Sequence, residues 1–398
     1  MNILIFSQRF WPENFRINKI AEKLSIKNNV FVATEKPNYP KGIIRKKYLK
    51  SFFFNEKWKK IKVYRSPTIA RGQNLFTLFF NYINFIILSP FLLNKNFKNK
   101  KINIIFVYAT SPIFQALGAI IYGKINKIPV ILWVQDIWPD VLKDLNIVKR
   151  KLILNLIGFF VNKIYINSDY IFVQSESFKK RISKNINKKI EVLFNPETKK
   201  IRKKNSNNKN FIITYAGNIG KAQSFETLVQ AVKKIKNSKI KIHIYGDGSE
   251  KNKLQRNISK FNLSDNIKLF KSVSKIKIDI ILSNSDAFLL ILGKGEGLSS
   301  TLPAKIQTYI SHNKPIIVSS DGESYNFVKK NKLGFVSKAE DSNGLWRSLL
   351  NTENLKQNQL RSISKASNKV FENNFELNKW IEIFEQKLEK CAEAYTRR

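Results

Sequence analysis

The sequence predicts a two-domain α/β protein with a helix-covered parallel β-sheet in each domain. The chain has 398 residues, more than one hydrophobic core usually organises. Hydrophobic residues make up 43% of it and aromatic residues 12%, which is enough apolar material for sizeable cores. Short apolar runs alternate with helix-length segments, as in a doubly wound sheet, and the second half repeats the pattern of the first.

The first half begins with an apolar strand at residues 1–6 and a loop at 8–16. A helical pattern over 17–24 follows and leads to a second strand at 30–33. Further strands are predicted at 102–107, 129–134 and 170–173. These elements make up the predicted first domain, residues 1–200.

A polar stretch at 201–210 has no apolar periodicity and predicts a linker, so residues 201–375 are assigned to the second domain. Its strands are predicted at 211–216, 240–245, 287–292 and 315–318. A last helix at 376–398 carries an apolar stripe that must pack against another surface: Trp380, Ile381, Phe384 and Leu388.

The charge is strongly basic, with 71 Lys and Arg against 29 Asp and Glu and a formal net charge of +42. Such an excess attracts polyanions, including nucleic acid and anionic lipid headgroups. Two interpretations of the charge stay open. One is a general abundance of lysine along the whole chain, and the other is a basic surface that faces a membrane. We find no basic stripe with stacking aromatics and no nucleic-acid-binding module, so nucleic acid is not expected as a partner.

A single cysteine, Cys391, excludes an internal disulfide framework and a cysteine-cluster metal site. This usage favours a reducing compartment. The apolar run at 1–6 is too short for a secretory signal peptide. We therefore expect a cytoplasmic protein.

The segment from Leu75 to Leu93 is rich in Phe, Leu and Ile and approaches the length that spans a bilayer. Asn81, Asn84 and Pro90 interrupt it. Three interpretations stay open: a buried helix of the first domain, a helix lying in the membrane interface, and a true span. A soluble or peripheral protein is expected, at the inner face of the plasma membrane.

A glycine turn follows the first strand of the second domain directly, at residues 217–223, and a helical pattern follows the turn. Gly217 and Gly220 let the backbone approach an anion, and a helix N-terminus offers free N–H groups and a partial positive charge. The pattern predicts a cradle for the phosphates of a nucleotide-linked substrate. A purely structural turn is the alternative, because short glycine patterns are common.

Two further elements fall at the predicted carboxyl edge of the same sheet. Gly246 and Asp247 form a tight turn where ligands of open α/β folds bind, although Asp247 can equally cap that turn. The segment 293–309 reads as a loop that becomes a helix near Pro303, which suits the first helical position, and Lys305 lies inside that helix. The hydroxyl and N–H groups just before Pro303 are predicted to face outward from the helix N-terminus. This segment predicts a second anion-binding element, in which Lys305 neutralises phosphate charge or remains a solvated surface lysine.

Nine short motifs, in this order, resemble glycosyltransferases of family 4, within the branch that builds bacterial surface polysaccharides such as colanic acid and fucosamine-containing O-antigens. They are Phe-Trp-Pro-Glu at 10–13, Pro-Asn-Tyr-Pro at 37–40, Thr-Ser-Pro at 110–112, Gln-Asp-Ile-Trp-Pro-Asp at 135–140, Gly-Asn-Ile-Gly-Lys-Ala-Gln at 217–223, Gly-Asp-Gly at 246–248, Leu-Pro-Ala-Lys at 302–305, Lys-Pro-Ile-Ile at 314–317 and Asp-Gly-Glu at 321–323. The resemblance covers nearly the whole chain.

The resemblance implies a GT-B fold, which is two facing Rossmann-like domains with the C-terminal helix crossing back to the first. It implies that the second domain holds the nucleotide-sugar donor, which we expect to be UDP-linked, and that the first holds the acceptor. It also implies transfer with retention of anomeric configuration and without a metal or other cofactor.

Two departures from the family pattern affect the expected donor contacts. Many members carry a Glu-x7-Glu pair at the donor site, and the corresponding positions here are Ser300 and Thr308. The basic residues that often bracket the phosphates fall at Asn218 and Gln223. Relatives with similar motifs share this variant, so we interpret it as a subfamily pattern.

The predicted site residues follow from the motifs and the resemblance. Lys221 and Lys305 are expected to stabilise the leaving diphosphate, and Asp136 to orient or deprotonate the acceptor hydroxyl, with a helix-capping role as its alternative. Acceptor contacts are expected from Glu13, Asn14 and Arg16. The predicted donor-binding residues are Gly217, Asn218, Gly220, Gln223, Gly246, Asp247, Ser300, Thr301, Pro303 and Thr308.

The predicted function is transfer of a sugar, with an N-acetylated or deoxy hexose among the options, to a polyprenyl-diphosphate-linked saccharide at an anionic membrane surface. Two alternatives stay open. A nucleotide-sugar 2-epimerase on the same fold would need several acid–base groups in its active site. The chain has only two histidines, which disfavours this alternative. A basic nucleic-acid-binding protein would need the module that we do not find.

Overall fold

The computed structural model describes residues 1–72, 74–144, 147–200, 210–235 and 238–397. These residues form two compact units. The first unit contains Met1–Pro139, Val148–Leu193 and Asn378–Arg398, and the second contains Asp140–Ile147 and Phe194–Leu377. The predicted linker at 201–210 lies outside the described residues except for its last position.

The first unit is a doubly wound sheet with helices on both faces. Strands and helices are numbered separately along the chain. Its elements are β1 (Asn2–Phe6), α1 (Arg16–Leu24), β2 (Asn29–Glu35), β3 (Phe54–Trp58), β4 (Ile61–Ser66), α2 (Leu75–Phe97), β5 (Ile104–Ala109), α3 (Ala116–Ile125), β6 (Val130–Val134), α5 (Lys151–Asn167), β7 (Tyr170–Val173), α6 (Glu176–Ser183), β8 (Ile190–Val192) and most of α15 (Leu377–Thr396). The strand order is β3-β4-β2-β1-β5-β6-β7-β8, and every pair is parallel except β3 with β4.

One face of this sheet is covered by α2, α3, α5 and α6. Their inner side chains share one core with the central strands, because each helix returns across the same face from a carboxyl edge to the next strand. In α2, Phe85, Leu92, Leu93 and Phe97 are buried in that core. The helix α2 therefore packs on the sheet, while its outer side chains remain exposed.

The second unit repeats this architecture. Its elements are α4 (Asp140–Asp144), β9 (Phe211–Ala216), α7 (Phe225–Val232), β10 (Ile240–Tyr245), α8 (Lys251–Lys260), β11 (Ile267–Phe270), α9 (Lys275–Asn284), β12 (Ala287–Ile291), α10 (Glu296–Ser300), α11 (Ala304–Ile310), β13 (Ile316–Ser319), α12 (Gly322–Lys330), β14 (Gly334–Ser337), α13 (Ser342–Glu353) and α14 (Gln357–Asn374). The strand order is β11-β10-β9-β12-β13-β14, and all pairs are parallel. This is the Rossmann order, with the chain reversing direction across the sheet between β9 and β12.

The predicted fold class is confirmed, and the differences concern short or peripheral strands. Sequence periodicity does not predict β3, β4, β8, β11 and β14. The strand β3 has polar residues at its three central positions and lies at a sheet edge, and β8 has only three residues. Such strands depend on pairing partners rather than on an apolar run of their own.

The last helix packs on the sheet of the first unit through its predicted apolar stripe. The ring of Trp380 lies 5.4 Å from that of Trp133, and the ring of Phe384 lies 4.8 Å from that of Phe106. Both partners lie on the central strands β5 and β6. The helix α15 therefore closes the sheet face opposite to α2, α3, α5 and α6, since Phe106 and Trp133 alternate with the residues of that other core.

Candidate active site

The reversal between β9 and β12 places two loops side by side at the carboxyl edge of the second sheet. The loop after β9 starts at Gly217, and the loop after β12 leads through α10 into α11. Ligands of open α/β folds bind at this type of position. The two predicted anion-binding elements therefore meet where the topology favours a ligand.

Lys305 of α11 reaches back to the glycine turn. Its Nζ donates to the hydroxyl of Tyr215 at 2.5 Å and lies 3.9 Å from the centre of the Tyr215 ring. A Cβ at Gly217 would lie 2.2 Å from Cε and 2.5 Å from Nζ of Lys305. Gly217 also has φ +150°, so both its conformation and the lysine exclude a side chain there.

The ammonium group of Lys305 sits in a desolvated environment. Burial lowers the pKa of Lys305 to about 7, and no carboxylate of the described residues opposes that shift. Lys305 therefore differs from a solvated surface lysine, and its desolvation beside the glycine turn makes it a candidate for binding an anion.

The backbone amides of the glycine turn are largely used within the protein. The N–H of Gly217 donates to the carbonyl of Tyr245 at 2.9 Å, and that of Ile219 to the carbonyl of Asp247 at 2.8 Å. The N–H of Gly220 donates to Oε1 of Gln223 at 3.1 Å. The turn thus differs from the predicted cradle, because those three donors are already occupied.

Asn218 and Gln223 hold the turn closed. Nδ2 of Asn218 lies 3.5 Å from the same Gln223 Oε1 that accepts from Gly220. The carbonyl of Asn218 accepts a 2.5 Å hydrogen bond from the Tyr215 hydroxyl. The two positions that lack the family's basic bracket therefore shape the turn, and Lys305 supplies the cation beside it.

Lys221 lies on the outer side of the same turn. Its side chain is exposed and borders a cavity of about 350 Å³ that is also lined by Glu226 and Glu250. The structure thus places acidic side chains around the same cavity as Lys221, and Lys305 beside Gly217. The predicted role of Lys221 toward a diphosphate stays a prediction.

The turn after β10 packs directly on the glycine turn. A Cβ at Gly246 would lie 1.9 Å from the carbonyl oxygen of Gly217, so the two backbones touch. Asp247 is exposed and its Oδ1 accepts from the N–H of Gly248 at 2.9 Å. Its carboxylate therefore caps its own turn, as the alternative interpretation expects.

The hydroxyls before α11 point into α10. Ser300 Oγ donates to the carbonyl of Glu296 at 2.8 Å, and Thr301 Oγ1 to that of Gly297 at 2.7 Å. Each hydroxyl proton is therefore committed to the backbone, which differs from the outward orientation predicted for this segment. Pro303 is the N-cap residue of α11 rather than its first residue.

Thr308 faces a carboxylate that the sequence does not single out. Its Oγ1 lies 3.2 Å from Oε2 of Glu197, a buried residue that also accepts from the N–H of Thr198 at 3.0 Å. The next residue, Tyr309, uses its hydroxyl to accept from the N–H of Ala216 at 3.1 Å and donate to the carbonyl of Leu289 at 3.2 Å. Tyr309 thereby fixes α11, and Lys305 with it, to the end of β9 and the middle of β12.

The short helix α10 is anchored by two residues of α4, which follows Asp136 in the sequence. Oδ2 of Asp144 accepts from the N–H of Leu298 at 2.9 Å, and Lys143 pairs with Glu296 at 3.4 Å. Gly297 leaves room for Asp144, since a Cβ there would lie 2.8 Å from Oδ2. Sequence reasoning missed this role because Asp144 and Leu298 are far apart in the chain.

Asp136 follows β6 at the carboxyl edge of the first sheet. Its Oδ2 accepts from the N–H of Ser111 at 3.1 Å and from Ser111 Oγ at 2.7 Å, and that Oγ accepts from Trp138 at 3.1 Å. Burial raises the pKa of Asp136, and the two Ser111 hydrogen bonds act against the rise. The carboxylate is oriented by Ser111, and the next helix, α4, begins only at Asp140.

The predicted acceptor residues separate into one buried and two accessible positions. Glu13 is buried, and its Oε1 accepts from the N–H groups of Asn38 at 2.8 Å and Tyr39 at 2.6 Å. Its carboxylate therefore supports the 37–40 loop, which differs from the direct acceptor contact predicted for it. Asn14 is exposed and Arg16 is half-buried. Burial raises the pKa of Tyr108, the charge of Arg16 acts against this rise, and that of Asp136 adds to it.

The described residues hold no group of three or more His, Cys, Asp and Glu side chains arranged to bind a metal ion. His243 lies half-buried on β10, with its ring 5.3 Å from that of Phe270, which agrees with a packed histidine.

Residues 196–370 match the family model described as glycosyl transferases group 1. The match covers most of the second unit, including the Gly217 turn and Lys305. No curated protein matches the chain significantly. The matched segment is a glycosyltransferase domain, and the chain is a glycosyltransferase enzyme.

Solved structures with similar folds span the whole chain. A sucrose-phosphate synthase of Thermosynechococcus elongatus superposes with a TM-score of 0.74 at 12% identity and covers 99% of each chain. HepE of Anabaena, in complex with UDP and glucose, has a TM-score of 0.68 at 13% identity, over 97% of this chain and 99% of that one. The lipopolysaccharide outer core galactosyltransferase WaaB has a TM-score of 0.66 at 15% identity, over 98% and 99%. These likenesses establish the two-domain Rossmann-like GT-B fold.

The buried ammonium of Lys305 predicts a pH-dependent stability difference. An unfolded lysine titrates at about 10.4, so the unfolded state binds the extra proton between about pH 7 and pH 10. Burying the charged Lys305 lowers the free energy of unfolding of the wild type by its full amount below pH 7. This loss of stability disappears as the pH rises toward 10. We expect Lys305→Met to raise the free energy of unfolding by a few kcal/mol at neutral pH and by progressively less at alkaline pH.

Urea unfolding of the wild type and Lys305→Met across this pH range measures the difference. Lys277→Met, at an exposed position of α9, is the matched control and is expected to show no pH-dependent difference. A constant offset between the wild type and Lys305→Met at all pH values would contradict the burial of this charge.

Proposed function

We propose that this enzyme is a retaining family 4 glycosyltransferase that moves a sugar from a UDP-linked donor to a polyprenyl-diphosphate-linked saccharide. The reaction would serve the assembly of a bacterial surface polysaccharide at the inner face of the plasma membrane, without a metal or other cofactor. The observation that carries the proposal is the position of Lys305, a desolvated cation beside the glycine turn at the reversal of the second sheet.

Support for the donor comes from this position and from the solved neighbours. Structures of HepE contain UDP, UDP-glucose, or UDP with glucose. A diphosphate brings the negative charge that the Lys305 ammonium lacks among the described residues. In the glycine turn beside Lys305, the backbone N–H groups of Lys221 and Ala222 meet no acceptor in the described part of the chain.

The chemistry explains why a lysine of this kind is useful. Breaking the bond between the anomeric carbon and the phosphate leaves negative charge on the nucleoside diphosphate while the sugar becomes oxocarbenium-like. Lys305 binds that charge more strongly as it develops, and its dry surroundings strengthen the attraction. Tyr215 and Tyr309 keep the ammonium in place, so little reorganisation is needed during the reaction.

Asp136 is the proposed group for the acceptor hydroxyl. Its carboxylate lies at the carboxyl edge of the first sheet and is oriented by Ser111. It would align the hydroxyl and accept its proton as the new glycosidic bond forms. Arg16 and Asn14 are the accessible candidates for contacts to the rest of the acceptor.

The acceptor class and the pathway rest on the motif resemblance and on WaaB, whose description as a lipopolysaccharide galactosyltransferase places one neighbour in surface-glycan synthesis. A lipid-linked acceptor also agrees with the exposed apolar side of α2. The family 4 assignment has the same basis.

Turnover of nucleotide sugars tests the proposed reaction. UDP release from UDP-sugars, with GDP- and dTDP-sugars for comparison, is expected to rise when a polyprenyl-diphosphate saccharide is added. Lys305→Met is expected to lower kcat by about a hundredfold or more, the usual cost of removing one charge-stabilising donor. Lys277→Met is expected to match the wild type.

Equal turnover in Lys305→Met and the wild type would remove the leaving-group assignment. A product that forms equally well without acceptor and is an epimerised nucleotide sugar would instead favour the 2-epimerase.

The pH profile tests Asp136. Its carboxylate must be ionised to accept a proton, so activity should fall as the pH drops through its raised pKa. Ser111→Ala removes one hydrogen bond that lowers this pKa, and the acid limb of kcat/KM should therefore move to higher pH. Asp136→Asn should lower kcat strongly while leaving UDP affinity unchanged. Asp265→Asn, at an exposed position of the second unit, is the control. An acid limb that does not move in Ser111→Ala would exclude Asp136 as the titrating group.

A further inference from the structure

Eleven large apolar side chains are exposed on two helices of the first unit. We name this surface the apolar helix face, and it consists of Phe76, Phe79, Phe80, Ile87 and Phe91 of α2 and of Leu152, Ile153, Leu156, Phe159, Phe160 and Ile166 of α5. Leu152 is 84% exposed and Phe76 is 76% exposed. Soluble surfaces rarely expose so many large apolar groups together, so such a face indicates a binding surface.

The two helices point these side chains the same way. Both pack their inner sides on one face of the sheet, through Phe85 and Leu92 in α2 and through Val161 and Ile164 in α5. The helix α3 packs against both of them and adds exposed Ile125. Their outer sides therefore form one continuous layer above the sheet.

The direction of the helices places this layer next to the predicted acceptor site. α2 follows β4 and α5 follows β6, and both strands run parallel to the central strands. Each helix thus starts at the carboxyl edge, where Asp136 lies. Phe76, Phe80, Leu152 and Leu156 all fall in the first two turns of their helices.

Charge complements this apolar layer. The sequence has no Asp or Glu from residue 57 to 135 and none from 145 to 168, so α2, α3 and α5 carry no acidic residue. Lys149, Arg150 and Lys151 are exposed at the start of α5. Exposed aromatic and aliphatic groups with a basic border are the composition of a surface that lies in an anionic membrane interface.

The helix α2 is fixed to the sheet and does not need to cross the membrane. It is long and apolar enough to span a bilayer by length and composition alone. However, the side chain of Asn81 is buried and accepts from Arg9 at 3.0 Å, and Asn84 donates to the carbonyl of Pro67 at 2.7 Å. Only its outer stripe is available to lipid.

We propose that the apolar helix face, including α5, lies in the anionic lipid surface and holds the carboxyl edge of the first unit at the membrane. This proposal rests in part on the proposed function, since a lipid-linked acceptor would then reach Asp136 from the bilayer. The occupant is the bilayer rather than a protein because the face combines aromatic and aliphatic groups on helices that carry no acidic residue with an exposed basic cluster at the start of α5.

Co-sedimentation with vesicles tests the proposal on the full chain. The vesicles are equal parts of phosphatidylglycerol and phosphatidylcholine, with pure phosphatidylcholine for comparison. The α2 pair Phe76→Gln/Phe80→Gln and the α5 pair Leu152→Gln/Leu156→Gln remove apolar groups while keeping helix-compatible residues. The matched control is Ile276→Gln/Ile280→Gln on α9, whose side chains are 73% and 43% exposed on the second unit.

The wild type is expected to bind the anionic vesicles and to retain part of this binding at high salt, because apolar insertion is not screened. Each pair on the apolar helix face should weaken partitioning at least about tenfold, since two large apolar groups no longer enter the lipid. The control pair should bind as the wild type does.

Three results would overturn the proposal: no binding by the wild type, equal binding by the α5 pair and the wild type, or binding that high salt removes completely. A lipid-free dimer that both pairs dissociate, without vesicle binding, would assign the face to a second copy of the chain instead. UDP affinity measured without vesicles reports on the proposed function alone. It should be unchanged in all three pairs, so a failure of either idea is seen separately.

Discussion

The contact between Lys305 and Tyr215, beside Gly217, is the interaction on which the candidate active site depends. A lysine ammonium lies 2.5 Å from a phenol oxygen and over its ring, and burial lowers its pKa to about 7. Three features of the second unit make this position possible. The reversal between β9 and β12 brings the loops together, Tyr309 anchors α11 to both strands, and the missing side chain of Gly217 leaves the space.

The candidate site places a side-chain cation beside a glycine turn in which several backbone donors are already occupied. In a glycine-rich cradle the free N–H groups and the helix N-terminus bind the phosphates. Here the N–H groups of Gly217, Ile219 and Gly220 are occupied, and the hydroxyls of Ser300 and Thr301 donate to α10. The glycine turn therefore mainly positions Lys305, which packs against Gly217. Desolvation destabilises the charged form of that lysine, and a bound anion would offset this loss of free energy.

Much of this arrangement follows from local sequence, and the remainder depends on contacts that local sequence does not contain. Alternation of apolar runs predicts the two parallel sheets, and the glycine turn after β9 and Lys305 after Pro303 mark the two loops that meet in the structure. The burial of Glu13 is not predictable in this way, because its partners are the backbone groups of Asn38 and Tyr39. Asp144 on α10 and Glu197 beside Thr308 are also long-range contacts. The sequence also does not single out the apolar stripe of α5, because its exposure depends on which side of the helix packs on the sheet.

The central claim is that Lys305 is desolvated in the free protein and carries its positive charge when a diphosphate binds. Proton uptake on UDP binding is its most direct test. Calorimetric titration in two buffers of different ionisation enthalpy measures it. At about pH 8 the free lysine is mostly neutral, so the wild type should take up close to one proton as UDP binds, and Lys305→Met should take up almost none. UDP binding of equal affinity and equal proton uptake in both proteins would contradict the account.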